Sequence, residues 1–131
     1  MTASVAIVPN LSVHDAPAAL AYYEAAFGAQ VVFRIGEGAE IFAVLTIGNA
    51  RFFVASESPA FGNLGPRALG GSSVRIDLLV DDPDGMHASA VAAGGTEISP
   101  VREEDEGPRM GVVRDPFGHI WLIGAPWDPR T

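Results

Sequence analysis

Cysteine is absent from this 131-residue chain, which excludes a disulfide framework, a thiol nucleophile and a thiolate metal site. Basic charge is scarce: eight basic residues stand against sixteen acidic ones, for a formal net charge of −8. The basic residues are scattered arginines, and phosphate binding needs clusters, so no nucleic-acid partner is expected. Long hydrophobic runs are missing too. No stretch approaches the roughly 20 apolar residues of a membrane span, so no membrane partner is expected. The opening MTASVAIVPN has no basic segment leading into a long apolar run, and no signal peptide is read there. These absences together predict a soluble cytoplasmic protein.

What the chain has is an internal echo. Val13-His14-Asp15 opens a segment ending at Gly28, and Val80-Asp81-Asp82 opens a second ending at Gly95. The offset is 67 residues for the valines, the second aspartates and the glycines alike. A strand-ending valine, a helix-capping aspartate and a glycine past the helix make one βα unit twice. Halves that cannot each bury a sheet face alone predict one domain, 1–131, made by duplication. The predicted modules span about 4–56 and 74–125, joined by a loop over 57–73. With 48% hydrophobic residues the chain has ample material for a core.

Alternation of valine and isoleucine predicts a strand over Ser4–Val13. Asp15 and Pro17 then start a helix with Leu20, Tyr23 and Phe27 as its apolar stripe, and Gly28 supplies a left-handed stop. Strands follow at about Gln30–Ile35, Glu40–Ile47 and Ala50–Ser56, the last two joined at Gly48-Asn49. Glu57–Ser73 is rich in glycine and proline, and a loop of that length is often functional or crosses between subunits. The cycle then repeats. Val74–Val80 is a strand, Asp82 and Pro83 start a helix that Gly94-Gly95 ends, and strands follow near Glu97–Val101, Arg109–Arg114 and Ile120–Gly124. Acidic Glu103–Glu106 reads as a solvated loop. The fold class is α+β: two βαβββ modules forming a curved mixed sheet around a cleft.

Strand parity locates the chemistry. Val74, Ile76, Leu78 and Val80 make an apolar face suited to a helix, as do Val5, Ile7, Pro9, Leu11 and Val13. Asn10, Ser12, Arg75 and Asp77 lie opposite, where polar groups are tolerable if that side lines a wet or ligand-filled groove. Plain solvation of Arg75 and Asp77, or a pair between them, is the competing reading. An arginine fork suits an anionic ligand.

The run Asp115-Pro116-Phe117-Gly118-His119-Ile120-Trp121, with the paired βα units and Ala25-Ala26-Phe27-Gly28-Ala29, resembles the vicinal oxygen chelate superfamily. That group includes glyoxalase I, bleomycin-resistance proteins and extradiol dioxygenases. The likeness is strongest to its small PhnB-like and bleomycin-resistance-like members, and covers about Ser4 to Ala125. It implies a homodimer and, in metal-using members, a divalent ion held by His, Gln or Glu on the first and last strands of each module. Matched to this chain, those places fall at Asn10, Phe53, Arg75 and Leu122. Phe and Leu offer no lone pair, Arg is permanently charged, and a lone amide oxygen binds weakly. An H-A-E run of the PhnB-like branch stands here as Phe42-Ala43-Val44. No metal and no cofactor are therefore expected.

The remaining chemistry is thin. His14, His87 and His119 form no HxH or HxxxH pair, and each reads as structural. Asp15 and Asp82 read as helix caps rather than a catalytic pair, and no phosphate loop or Gly-x-Ser-x-Gly elbow is present. Aromatics could wall a cavity, although core packing is the simpler role for Phe42 and Phe53. The resulting expectation is a metal-independent small-molecule-binding protein, sequestering an aromatic or anionic metabolite or antibiotic. Its ligand-binding residues would be Asn10, Phe42, Phe53, Arg75, Asp77 and Leu122. The alternative is a metal-dependent lyase, isomerase or dioxygenase of the same superfamily. A partner-interaction module using its sheet edges is the third reading.

Overall fold

A computed structural model describes residues 3–127. The first module is β1 (Asn10–Val13), α1 (Ala16–Phe27), β2 (Gln30–Glu37), β3 (Glu40–Ile47) and β4 (Ala50–Ser56). A 3-10 turn at Pro59–Phe61 and the short helix α2 (Pro66–Leu69) lead into the second. That module is β5 (Arg75–Leu79), α3 (Pro83–Ala92), β6 (Thr96–Arg102), β7 (Met110–Arg114) and β8 (Ile120–Gly124). Each module makes one four-stranded mixed sheet, in orders β1-β4-β3-β2 and β5-β8-β7-β6. The first and last strand of each module pair in parallel, β1 with β4 and β5 with β8, and the remaining pairs are antiparallel. The architecture is α+β, as the repeat predicts.

Both helices begin as their caps require. The Asp15 carboxylate accepts from the Ala18 N–H at 3.1 Å, and the Asp82 carboxylate accepts from the Gly85 N–H at 3.0 Å. Their ends differ. Gly28 takes the left-handed φ of +67°, with its N–H on the Glu24 carbonyl. Gly95 has no positive φ; it is small because a Cβ there would meet the Tyr22 hydroxyl at 2.6 Å and Val113 Cγ1 at 2.7 Å. The same residue type thus serves conformation in one module and close packing in the other.

One strand is shorter than the sequence suggests. Alternation predicted Ser4–Val13, but β1 starts at Asn10, and Val5 and Ile7 are exposed rather than turned toward a helix. Leu11 and Val13 are buried as expected. Residues before Asn10 have the right alternation, and the Pro9 carbonyl still accepts from the Phe53 N–H at 2.8 Å, but proline has no N–H to return and the ladder with β4 begins only at Asn10. Glu103–Glu106 is exposed and outside any strand.

The modules are joined through their helices and one buried carboxylate. Tyr22 of α1 donates its hydroxyl to the Ala90 carbonyl of α3, and Ser89 donates to the Ala25 carbonyl. Asp115, just past β7, is 3% exposed and accepts four hydrogen bonds. The Tyr23 hydroxyl donates at 2.5 Å and Trp121 Nε1 at 2.9 Å, both to Oδ2. The N–H groups of Phe117 and His119 donate to Oδ1. With two donors on each oxygen, this carboxylate is saturated and its burial is compensated. Around it Tyr23, Phe27, Phe52, Phe117 and Trp121 form one aromatic core, with the Phe27 and Trp121 rings 4.6 Å apart.

Candidate functional site

The six sequence-derived site residues all lie on the sheet faces that carry no helix. Along β3, Ile41, Ala43 and Leu45 are buried toward α1, so Phe42 and Val44 alternate to the open side. Phe52 and Val54 are buried in β4, leaving Phe53 open; its ring meets Phe42 edge-on at 5.3 Å. These two aromatics therefore do not join the main core, where packing alone would place them. In the second module Trp121 and Ile123 are buried, and Leu122 is left facing outward. Arg75 and Asp77 are exposed beside it.

Asn10, Arg75 and Asp77 come together in a groove of about 790 Å³ between β1 and β5. Phe42, Phe53 and Leu122 lie on the same open faces but do not line that groove. β1 and β5 are edge strands of separate sheets and do not pair with each other, so the groove runs between two strand edges. Its apolar walls come from Ile7, Pro9, Leu64, Leu69 and Val74. Leu64 and Leu69 belong to the segment between the modules, whose glycines and prolines mark it as a loop without indicating which residues it would contribute.

That segment is held by a polar net. Ser12 Oγ donates to Asn63 Oδ1, and the Asn63 amide donates to the Ser56 carbonyl at 3.4 Å. The Gly65 N–H donates to Glu57 at 3.1 Å. His119, also lining the groove, donates its Nε2–H to the Ser12 carbonyl at 2.9 Å, linking the DPFGH turn to β1. The other histidines are engaged elsewhere: His14 accepts from Arg67, and His87 donates to Glu97. In the core, burial and the nearby Asp115 charge push the Tyr23 phenol well above its ordinary pKa, and Tyr22 is raised by the same two causes.

Strand register and the repeat relate the two modules. Asn10 pairs with Phe53, and Asp77 pairs with Leu122, while Arg75 stands opposite Ile120. The 67-residue repeat also carries Asn10 onto Asp77. The repeat likewise carries Val8 onto Arg75, so Asn10 and Arg75 do not stand at equivalent positions of the two modules.

A duplicated βαβββ fold with a groove between the modules defines a class, and comparison with known proteins identifies it. The model of the Glyoxalase/Bleomycin resistance protein/Dioxygenase superfamily matches residues 5–123, and the chain belongs to that superfamily. An uncharacterized protein of Mycobacterium bovis is 36% identical over 126 residues, covering 92% of this chain and 83% of that one. Among solved structures, the fosfomycin resistance protein FosX of Listeria monocytogenes superimposes with a TM-score of 0.74 at 15% identity, covering 96% of each chain. A bleomycin-binding protein in complex with bleomycin superimposes with a TM-score of 0.65 at 21% identity, covering 95% of this chain and 100% of that one. At such identities the two structures speak for the fold alone.

The divalent ion used by some members of this superfamily does not fit the residues present. The four places matched from sequence carry Asn10, Phe53, Arg75 and Leu122: one amide, one guanidinium and two hydrocarbons. Zinc and non-heme iron sites take three or more protein donors. Among the described residues no three His, Asp or Glu side chains gather closely enough to supply them. Nor is any described helix long and apolar enough to cross a membrane.

Proposed function

We propose that this chain is a metal-independent binding protein that sequesters an aromatic or anionic small molecule, a metabolite or an antibiotic, in the groove between β1 and β5. The observation that carries this reading is the groove itself: about 790 Å³, apolar along its walls, with Asn10, Arg75 and Asp77 converging in it. Ligand sites usually enclose about 300–1,000 Å³ and combine apolar walls with a few placed polar groups. The guanidinium of Arg75 supplies a two-pronged donor for a carboxylate. Phe42, Phe53 and Leu122 extend the open faces on which a flat ligand could rest. That a bleomycin-binding protein shares the fold supports a sequestering role.

The protein would act as a cytoplasmic homodimer. Phe33 and Ile35, opposite Val44 and Phe42 on the helix-free face of the first sheet, are 51% and 58% exposed. A second copy would cover them.

The test is a thermal-shift and calorimetric survey of the purified protein with bleomycin, fosfomycin and a panel of aromatic carboxylic acids, beside a metal assay. A ligand at about a hundred times its Kd adds about 2.7 kcal/mol, which raises the melting temperature by several degrees. One saturable ligand per chain, unaffected by chelator, is the expected result. A stoichiometric divalent ion whose removal by chelator abolishes binding would overturn the proposal.

A further inference from the structure

Arg75 and Asp77 are neighbours on one face of β5, yet they form no ion pair with each other. Neither side chain hydrogen-bonds to any described residue. Some surface charges do find partners, as where Arg109 grips both carboxylate oxygens of Asp84 at 2.9 Å. Others such as Arg34 and Arg51 do not, and what distinguishes Arg75 and Asp77 is that they share one groove. The two opposite charges stand in the groove between β1 and β5, among walls of Ile7, Pro9, Leu64, Leu69 and Val74. Asn10 faces them from β1 with both an amide donor and an amide acceptor.

We infer that the groove selects a zwitterion with an apolar body: an amino-acid-derived molecule of about dipeptide length, its carboxylate on Arg75 and its ammonium on Asp77. This rests on the groove being the ligand site. Residues two apart on a strand are separated by about 6.6 Å. The charged ends of an extended dipeptide are about 7 Å apart. A ligand of one charge would leave the other side chain facing it unpaired, or repelled, so discrimination comes from both residues together. The strand edges add to the fit. Edge strands carry outward N–H and C=O groups with no partner in their own sheet, and a peptide bond presents complementary ones.

Four forms of one dipeptide test this: Phe-Leu, its N-acetyl derivative, its C-terminal amide, and the doubly blocked molecule, each titrated calorimetrically. Free Phe-Leu is expected to bind at least tenfold more tightly than either singly blocked form. D77N should erase the difference between free and acetylated peptide while leaving the difference between acid and amide. R75Q should do the reverse. Both side chains are exposed and unpartnered, so the variants keep the wild-type melting temperature, which is measured alongside. Equal affinity for all four forms would overturn the zwitterion and leave the binding role standing. If none binds while an aromatic acid or antibiotic does, the inference alone fails; if nothing binds, both fail.

Discussion

The Tyr23 hydroxyl donates to the Asp115 carboxylate at 2.5 Å across 92 residues of sequence, tying the helix of the first module to the turn of the second. The same oxygen of Asp115 takes the Trp121 indole N–H, and the other oxygen closes the DPFGH turn through two backbone N–H groups. Removing the acceptor strands four buried or half-buried donors at once. D115A is expected to cost about 3–5 kcal/mol, the scale of breaking a buried charged network. Y23F, which leaves three donors on the carboxylate, should cost about 1–2 kcal/mol. Urea denaturation of the three proteins checks both values and their order.

The two tyrosines also make a pH prediction. They are the only tyrosines in the chain, and burial followed by the Asp115 charge raises both phenols above their ordinary value. In the unfolded chain they ionise near pH 10. A raised folded-state pKa means that the stabilisation is complete below about pH 10 and is lost as pH climbs above it, because the unfolded chain sheds its protons first. Ultraviolet titration should therefore show no phenolate step near pH 10 in the native protein, and ionisation should coincide with alkaline unfolding. A normal two-phenol titration with native circular dichroism intact would contradict this.

Gly28 and Gly95 occupy repeat-equivalent positions and should fail differently. At Gly28 the positive φ is the obstacle and a Cβ meets nothing within 4 Å, so G28A costs about 1–2 kcal/mol. Asparagine, which tolerates the left-handed region, should recover part of that. At Gly95 the obstacle is space, between Tyr22, Val113 and Ala90. G95A should cost about 1–3 kcal/mol by overpacking, and G95N more than G95A. The sign of the Ala-to-Asn difference at the two sites, read from thermal melts, separates conformation from crowding.

These residues also show what could be read from the chain. The caps Asp15 and Asp82, the stripe of Leu20, Tyr23 and Phe27, and the open-face parity of Asn10, Arg75, Asp77 and Leu122 rest on local periods of helix and strand, which sequence displays directly. The extent of β1 does not. Val5 and Ile7 have the alternation of a strand, but pairing is decided across space, and the ladder with β4 begins only at Asn10. The four donors of Asp115 arrive from α1, the turn and β8, so the sequence signal was a family-like motif rather than a visible network. The groove lies between edges of two sheets, and only assembled modules bring Leu64 and Leu69 to it.

His119 offers a way to separate groove shape from groove charge. Its Nε2–H bonds the Ser12 carbonyl, an acceptor on the edge of β1 that lines the groove, and the ring is buried. H119F keeps the aromatic bulk but leaves that carbonyl without its donor, at a cost of about 1–2 kcal/mol. H119Q can still donate and should lose less. In the groove, H119F should weaken any bound ligand modestly and without regard to its charge, because β1 loses an anchor while Arg75 and Asp77 are untouched. A charge-selective loss in H119F, measured against acidic and neutral ligands of matched shape, would mean that His119 itself contacts the ligand.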